Sequence, residues 1–97
     1  MSCVYPVIGR AAYSKAGRDK ERLFIVVGII DENFLLVADG HLHPIGRPKK
    51  KRIKHLRFTD LVEHSVAEKV ERGRKPSDKD LQLAIIRIEE MLAARKN

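Results

Sequence analysis

Residues 23–38 read LFIVVGIIDENFLLVA, two apolar runs separated by Asp31-Glu32-Asn33. The first run, Leu23 to Ile30, is rich in β-branched residues and shorter than a typical helix, which predicts a strand apolar on both faces. Asp31-Glu32-Asn33 is turn material and Phe34 to Ala38 is a second strand, so the pair reads as an antiparallel hairpin. A strand that is apolar on both faces must be covered on both, and the rest of the chain has to supply the cover. Upstream, Ile8 to Tyr13 reads as a first strand leading into the polar stretch Ser14 to Arg22 around Gly17. Downstream, Asp39-Gly40 marks a turn. Two further strands are expected around Leu42 to Ile45 and from Ile53 to Phe58, with Pro44 and Pro48 restricting pairing at the first. Strands at this spacing predict a small β-barrel.

After Phe58 the periodicity becomes helical. Asp60 is positioned to cap a helix with Glu63 three residues on, Val62, Val66 and Val70 repeat at helical spacing, and Gly73 stands where a left-handed C-terminal cap belongs. Pro76-Ser77-Asp78-Lys79-Asp80 starts a second helix, with Ser77 as the capping side chain and acids in the first turn, where the helix dipole favours them. At ~100° per residue, Leu81, Ala84, Ile85, Ile88, Met91 and Leu92 form one core-facing stripe. Leu83 and Ile86 fall outside it, either buried by the first helix and the barrel, which is the expected fate, or exposed as a partner patch. The fold class is thus α+β, a barrel of about five strands followed by two C-terminal helices lying on its outside. The expected division is a barrel over 7–58 and a helical extension over 59–97.

The chain has 97 residues, with 20 Lys and Arg against 13 Asp and Glu, for a net charge of +7. That size suits one domain, and that balance points to polyanionic partners. Residues 1–57 hold 12 basic and 5 acidic side chains, whereas residues 58–97 hold 8 of each, so the excess lies wholly in the first part. Arg47, Lys49, Lys50, Lys51, Arg52, Lys54 and Arg57 form an acid-free run, and Lys15, Arg18, Lys20 and Arg22 populate the stretch around Gly17. The single cysteine, Cys3, cannot form an internal disulfide, which favours a reducing compartment. The longest apolar run is far short of the ~20 residues a spanning helix needs, and no basic-then-apolar export pattern precedes it. A cytoplasmic protein is expected.

Catalytic and metal chemistry find no support. His41 and His43 are close in sequence, but with His55, His64 and Cys3 they make no zinc-finger or H-E-x-x-H spacing. Ser14, Ser65 and Ser77 lack a nucleophile-elbow glycine pattern, and there is no Walker A or dinucleotide fingerprint. No cofactor, no metal and no enzyme activity are expected. The aromatics are Tyr5, Tyr13, Phe24, Phe34 and Phe58. Phe24 and Phe34 lie in apolar strands and are assigned to the core, which leaves no stacking platform for single strands.

The stretch Gly9 to Lys20, read GRAAYSKAGRDK and followed by the strand from Leu23, resembles a KOW motif. Val37-Ala38-Asp39-Gly40 and the run from Pro48 to Leu56 extend the likeness, so that it covers residues 9–56, about half the chain. The chain is similar to the KOW-containing large-subunit ribosomal proteins of archaea and eukaryotes and to small bacterial KOW-domain RNA-binding proteins. The resemblance implies an SH3-like barrel whose first loop approaches structured RNA, with Gly9 and Gly17 as motif glycines. In that family a second glycine commonly stands where this chain has Glu21, whose side chain restricts the backbone and whose carboxylate repels phosphate.

Residues and resemblance together point to phosphate-directed binding of structured RNA, with large-subunit rRNA and the ribosome as the expected partners. Arg10, Lys15, Arg18, Lys20, Arg22, Arg47, Lys49, Lys50, Lys51, Arg52, Lys54 and Arg57 are the candidate RNA contacts. Two other readings stand beside this one: a protein-docking SH3-like module of the transcription or translation machinery, and a nonspecific DNA binder. The C-terminal helices offer a further surface for a protein partner.

Overall fold

A computed structural model describes residues 7–95; Cys3 and Tyr5 lie outside them. The chain runs through β1 (Arg10–Ser14), a 3-10 turn at Gly17–Asp19, β2 (Leu23–Ile29), β3 (Phe34–Ala38), β4 (Lys49–Arg52), a second 3-10 turn at Ile53–His55, β5 (Leu56–Val62), α1 (His64–Glu71) and α2 (Asp78–Arg95). All pairings are antiparallel, in the order β4-β3-β2-β1-β5. In a flat sheet β4 and β1 would lie about 14 Å apart, three strand spacings. Lys51 Nζ on β4 nevertheless donates to Ser14 Oγ on β1 at 3.0 Å, so the sheet is strongly curled. Register shifts in β1 between Arg10 and Ala12, and in β2 between Val26 and Gly28, are bulges of the kind that bend strands.

The double-sided apolar character of β2 is realised in two clusters. Phe24 and Val26 point into the curl with Ala12, Leu35, Val37 and Leu56. Leu23 and Ile25 point outward, where Val66 of α1 and Leu81 and Ile88 of α2 cover them. Two glycines allow the helices to approach this closely. A Cβ on Gly9 would stand 2.7 Å from the carbonyl oxygen of Glu63, just before α1, and one on Gly40 would collide with the carbonyl oxygen of Asp78 at the start of α2. Gly9 also accepts from Glu63 N at 2.8 Å, and Gly40 accepts from Gln82 Nε2 at 2.7 Å.

Several expectations are corrected. No strand forms at Leu42 to Ile45, because Asp39 Oδ1 accepts from the backbone nitrogens of His41 and His43 at 2.9 and 3.0 Å and holds the segment as a loop. The fourth strand is the lysine-rich Lys49–Arg52 instead, and Ile53 to His55 is a 3-10 turn rather than the start of the fifth. β5 continues through Val62, so Asp60 is a strand residue whose carboxylate accepts from Arg95 at 2.7 Å, not a helix cap. The residue before α1 is Glu63, whose side chain makes no cap bond. Gly73 does follow α1 with a left-handed φ of 73°, and its nitrogen donates to Val70 O. The start of α2 is a reciprocal capping box: Ser77 Oγ accepts from Asp80 N, and Asp80 Oδ2 accepts from Ser77 N, each at 3.0 Å. A hydrogen bond from Lys69, joined by those from Ser77, holds the Asp80 carboxyl down to about 2.

On α2 the stripe is narrower than its periodicity implies. Leu81, Ala84 and Ile88 are buried, but Met91, Leu83 and Ile86 are exposed, because both helices pack chiefly on β2 and neither reaches around to cover the far side of α2. Phe34 is also half-exposed rather than core. No helix among the described residues is long and apolar enough to cross a membrane.

Ile88→Ala removes a side chain that joins α2 to the outer cluster, and should lower stability in urea unfolding by about 3 kcal/mol. Ile86→Ala, on the exposed face, should change it by less than about 0.5 kcal/mol.

Candidate nucleic-acid interface

The loop between β1 and β2 is tightly closed. Ser14 N donates to Arg22 O at 3.0 Å, Glu21 N donates to Ser14 O at 2.7 Å, and the 3-10 turn from Gly17 is tied by Lys20 N to Gly17 O and Arg22 N to Asp19 O. Glu21 adopts φ 71°, the one left-handed conformation of a non-glycine residue among the described residues. Such a conformation costs an L-residue roughly 1–2 kcal/mol, and here it is imposed by the backbone bonds on either side. The structure thus gives a physical basis to the glycine that the KOW resemblance expects at this position.

The loop sorts its side chains by charge. Asp19 turns inward and is 5% exposed, while Lys15, Arg18 and Lys20 remain at the surface. Asp19 Oδ2 accepts from Lys49 Nζ at 2.5 Å and lies 3.8 Å from Lys51 Nζ, and Oδ1 is 3.3 Å from His43 Nε2. Burial works to raise the Asp19 pKa, but hydrogen bonds with Lys49 and His43 and their charges outweigh it, leaving the carboxyl below its usual range. Lys51 is shifted down by burial and by the charge of Lys49, against the pull of Asp19. The His43 ring rests against Phe24, centroids 5.5 Å apart.

The pleat of β4 therefore divides the lysine run. Lys49 and Lys51 face Asp19; Lys51 is buried, whereas Lys49 is held by that carboxylate with 37% of its side chain still exposed. Lys50 and Arg52 face the other way, with Lys50 Nζ 4.4 Å and the Arg52 guanidinium 5.1 Å from the centre of the Phe34 ring. Arg47, in the β3–β4 loop, is exposed. Arg57 on β5 pairs in register with Tyr13 and covers its ring at 5.0 Å. Tyr13, Lys15, Lys20, Glu21 and Arg57 line one hollow, and Lys15 N donates to His55 O at 2.8 Å, which joins the loop to the 3-10 turn that carries exposed Lys54.

Of the twelve candidate contacts, Lys15, Lys20 and Arg57 thus line one hollow, Arg18 is exposed in the same loop, and Lys54, in the adjoining 3-10 turn, lines a separate hollow with Glu32, Asn33 and Arg52. Arg22 is held 3.5 Å from Asp39, and Arg10 donates from Nη1 to Thr59 O at 2.8 Å on the opposite end of β1. Arg10 Nε is buried without a partner. Gly17 has a left-handed φ of 76° in open surroundings, whereas Gly9 serves helix packing. Tyr13 is the residue that sequence reasoning left without a role; its half-exposed place opposite Arg57 follows from the β1 alternation and the β1–β5 register.

A curled five-stranded antiparallel sheet with basic residues of the β1–β2 loop at one end matches the architecture that the KOW resemblance implies. No protein-family model matches the chain. It is 38% identical over 69 residues to a Bacillus subtilis protein named "Putative ribosome-binding protein YbzG", a match covering 70% of this chain and 93% of that protein. It is 43% identical over 53 residues to large ribosomal subunit protein eL14 of Desulfurococcus amylolyticus, covering 55% of each. The chain belongs to the family of YbzG.

Glu21→Gly should raise stability by about 1 kcal/mol in urea unfolding, by relieving the left-handed strain. Asp19 has a lowered folded-state pKa, so it stabilises the fold at neutral pH, and that contribution is lost as pH falls below about 4 toward the folded-state value. Asp19→Asn should lower stability at pH 7 and flatten the acid limb of stability measured from about pH 6 to about pH 3.

Proposed function

We propose that the chain is a non-catalytic, ribosome-associated protein that binds structured ribosomal RNA through phosphate contacts. The observation that carries this reading is the meeting of Lys15, Lys20 and Arg57 around one hollow, with Arg18 exposed in the same loop and Lys54 exposed in the 3-10 turn to which Lys15 N is bonded. None of these five forms a salt bridge with a carboxylate of the described residues, so each is available to a polyanion. Kinship with YbzG and similarity to eL14, proteins named for the ribosome, support that RNA as the polyanion. The large subunit is the proposed location, in the cytoplasm, with no cofactor.

The contacts address the RNA backbone rather than its bases. Tyr13 and Phe34, the half-exposed aromatics beside the basic residues, already carry cations over their rings. A duplex or a folded tertiary segment presents phosphates at fixed spacing to such a rigid cluster, whereas a flexible single strand would need a stacking platform. Glu21 shares that hollow with Lys15, Lys20 and Arg57 and works against phosphate there, whereas Arg18, exposed in the same loop, lies outside its lining.

Filter binding to large-subunit rRNA fragments should give a log–log salt slope of about −4, as expected for roughly five neutralised phosphates. Lys15→Glu combined with Lys20→Glu should weaken binding at least about tenfold and flatten that slope, with co-sedimentation on ribosomes falling in parallel. A slope near zero, or duplex DNA competing as well as the rRNA fragment, would overturn the proposal.

A further inference from the structure

A second concavity lies away from the basic loop cluster, where the segment between α1 and α2 passes over the outer face of the sheet. Its floor is aliphatic: Val27 of β2, Leu36 of β3, Ile45 and Pro48 of the β3–β4 loop, and Val70 of α1. All five are half-buried, so the hollow exposes apolar surface that the chain's own described residues leave uncovered. Its volume, about 250 Å³, suits one bulky side chain and not a whole domain.

The rim is basic. Arg74 and Lys75 line it, both exposed, and no carboxylate does. Neither forms a salt bridge within the described residues. Lys75 Nζ reaches across toward Gly46 of the β3–β4 loop, 3.6 Å from where a Cβ would stand, so the cation spans from the α1–α2 segment to that loop at one end of the hollow. Beyond that end, Arg47 adds an exposed positive charge from the same loop.

We propose that this hollow docks an acidic peptide segment of a partner protein, anchored by one bulky apolar side chain on the aliphatic floor with carboxylates toward Arg74 and Lys75. Burial of an apolar side chain supplies the attraction, and the charged rim supplies orientation and selectivity. An RNA backbone could satisfy the rim, but it has nothing to bury on the floor, and no aromatic ring is present there to stack a base. The chain's own residues 1–6 include no carboxylate and so cannot satisfy the rim. The site does not depend on RNA binding, since none of its lining residues belongs to the loop cluster.

The test selects random displayed peptides on the full chain and then maps the enriched peptide by amide chemical shifts. The expected consensus has acids flanking one bulky apolar residue, and the expected shifts centre on Val27, Leu36, Ile45 and Val70. Arg74→Glu with Lys75→Glu, both at exposed positions, should weaken the peptide about tenfold or more, and replacing its apolar anchor by alanine should do the same. Lys15→Glu with Lys20→Glu should leave peptide affinity unchanged while weakening rRNA binding, which separates failure of this site from failure of the RNA reading. The proposal is overturned by no enrichment, by a consensus without acids, by shifts on another face, or by displacement of the peptide by an rRNA stem-loop.

Discussion

The Asp19 carboxylate is the interaction on which the rest of the architecture depends. It belongs to the β1–β2 loop, yet its partners are Lys49 and Lys51 of β4 and His43 of the β3–β4 loop. Strands β4 and β1 are separated in the sheet by β3 and β2, so this one anion helps hold the curl shut from within. Its removal would leave two lysines facing one another near the interior with no compensating charge. Buried ionic clusters of this sort contribute less to net stability than to the uniqueness of an arrangement, because desolvation offsets much of their attraction. Here the arrangement fixed is the position of the loop relative to the second basic segment.

The same cluster explains why the electrostatic surface differs from the charge count. A strand sends successive side chains to opposite faces. Lys49 and Lys51 pair with Asp19, Lys50 and Arg52 lie on the far side with Phe34, Arg57 lines a hollow with the β1–β2 loop, Lys54 lines another with Glu32, and Arg47 is exposed in the β3–β4 loop. A basic run that would act as one tract in a flexible tail becomes several sets of residues with separate surroundings.

The hairpin from Leu23 to Ala38, the second helix with its Ser77 cap, and the need for helices on the outer face were all legible in the sequence, because each rests on short-range chemistry or on a period of apolar residues. β4 was not, since Lys49 to Arg52 has no apolar pattern and becomes a strand only by pairing with Phe34 to Val37 and by the pull of Asp19. Asp60 misled for the opposite reason. Its spacing to Glu63 imitates a capping box, but pairing of β5 with β1 through Val62 overrides the local signal. The basic character of the candidate interface could be read from composition, whereas its membership could not, because the inward turn of Lys49 and Lys51 and the outward turn of Phe34 are set by register.

The backbone bonds that force Glu21 into a left-handed conformation have a further consequence for recognition. A loop that can hold a residue against its own conformational preference is a loop with little freedom left. Its cations are displayed from a frame already built before any polyanion arrives, so association is spared the entropy of freezing a disordered arm. Encounter can then be governed by charge and shape at fast rates, and release is not slowed by the unravelling of an induced structure. Under the proposed function, such a loop suits exchange on and off a large RNA surface rather than being wound permanently into it.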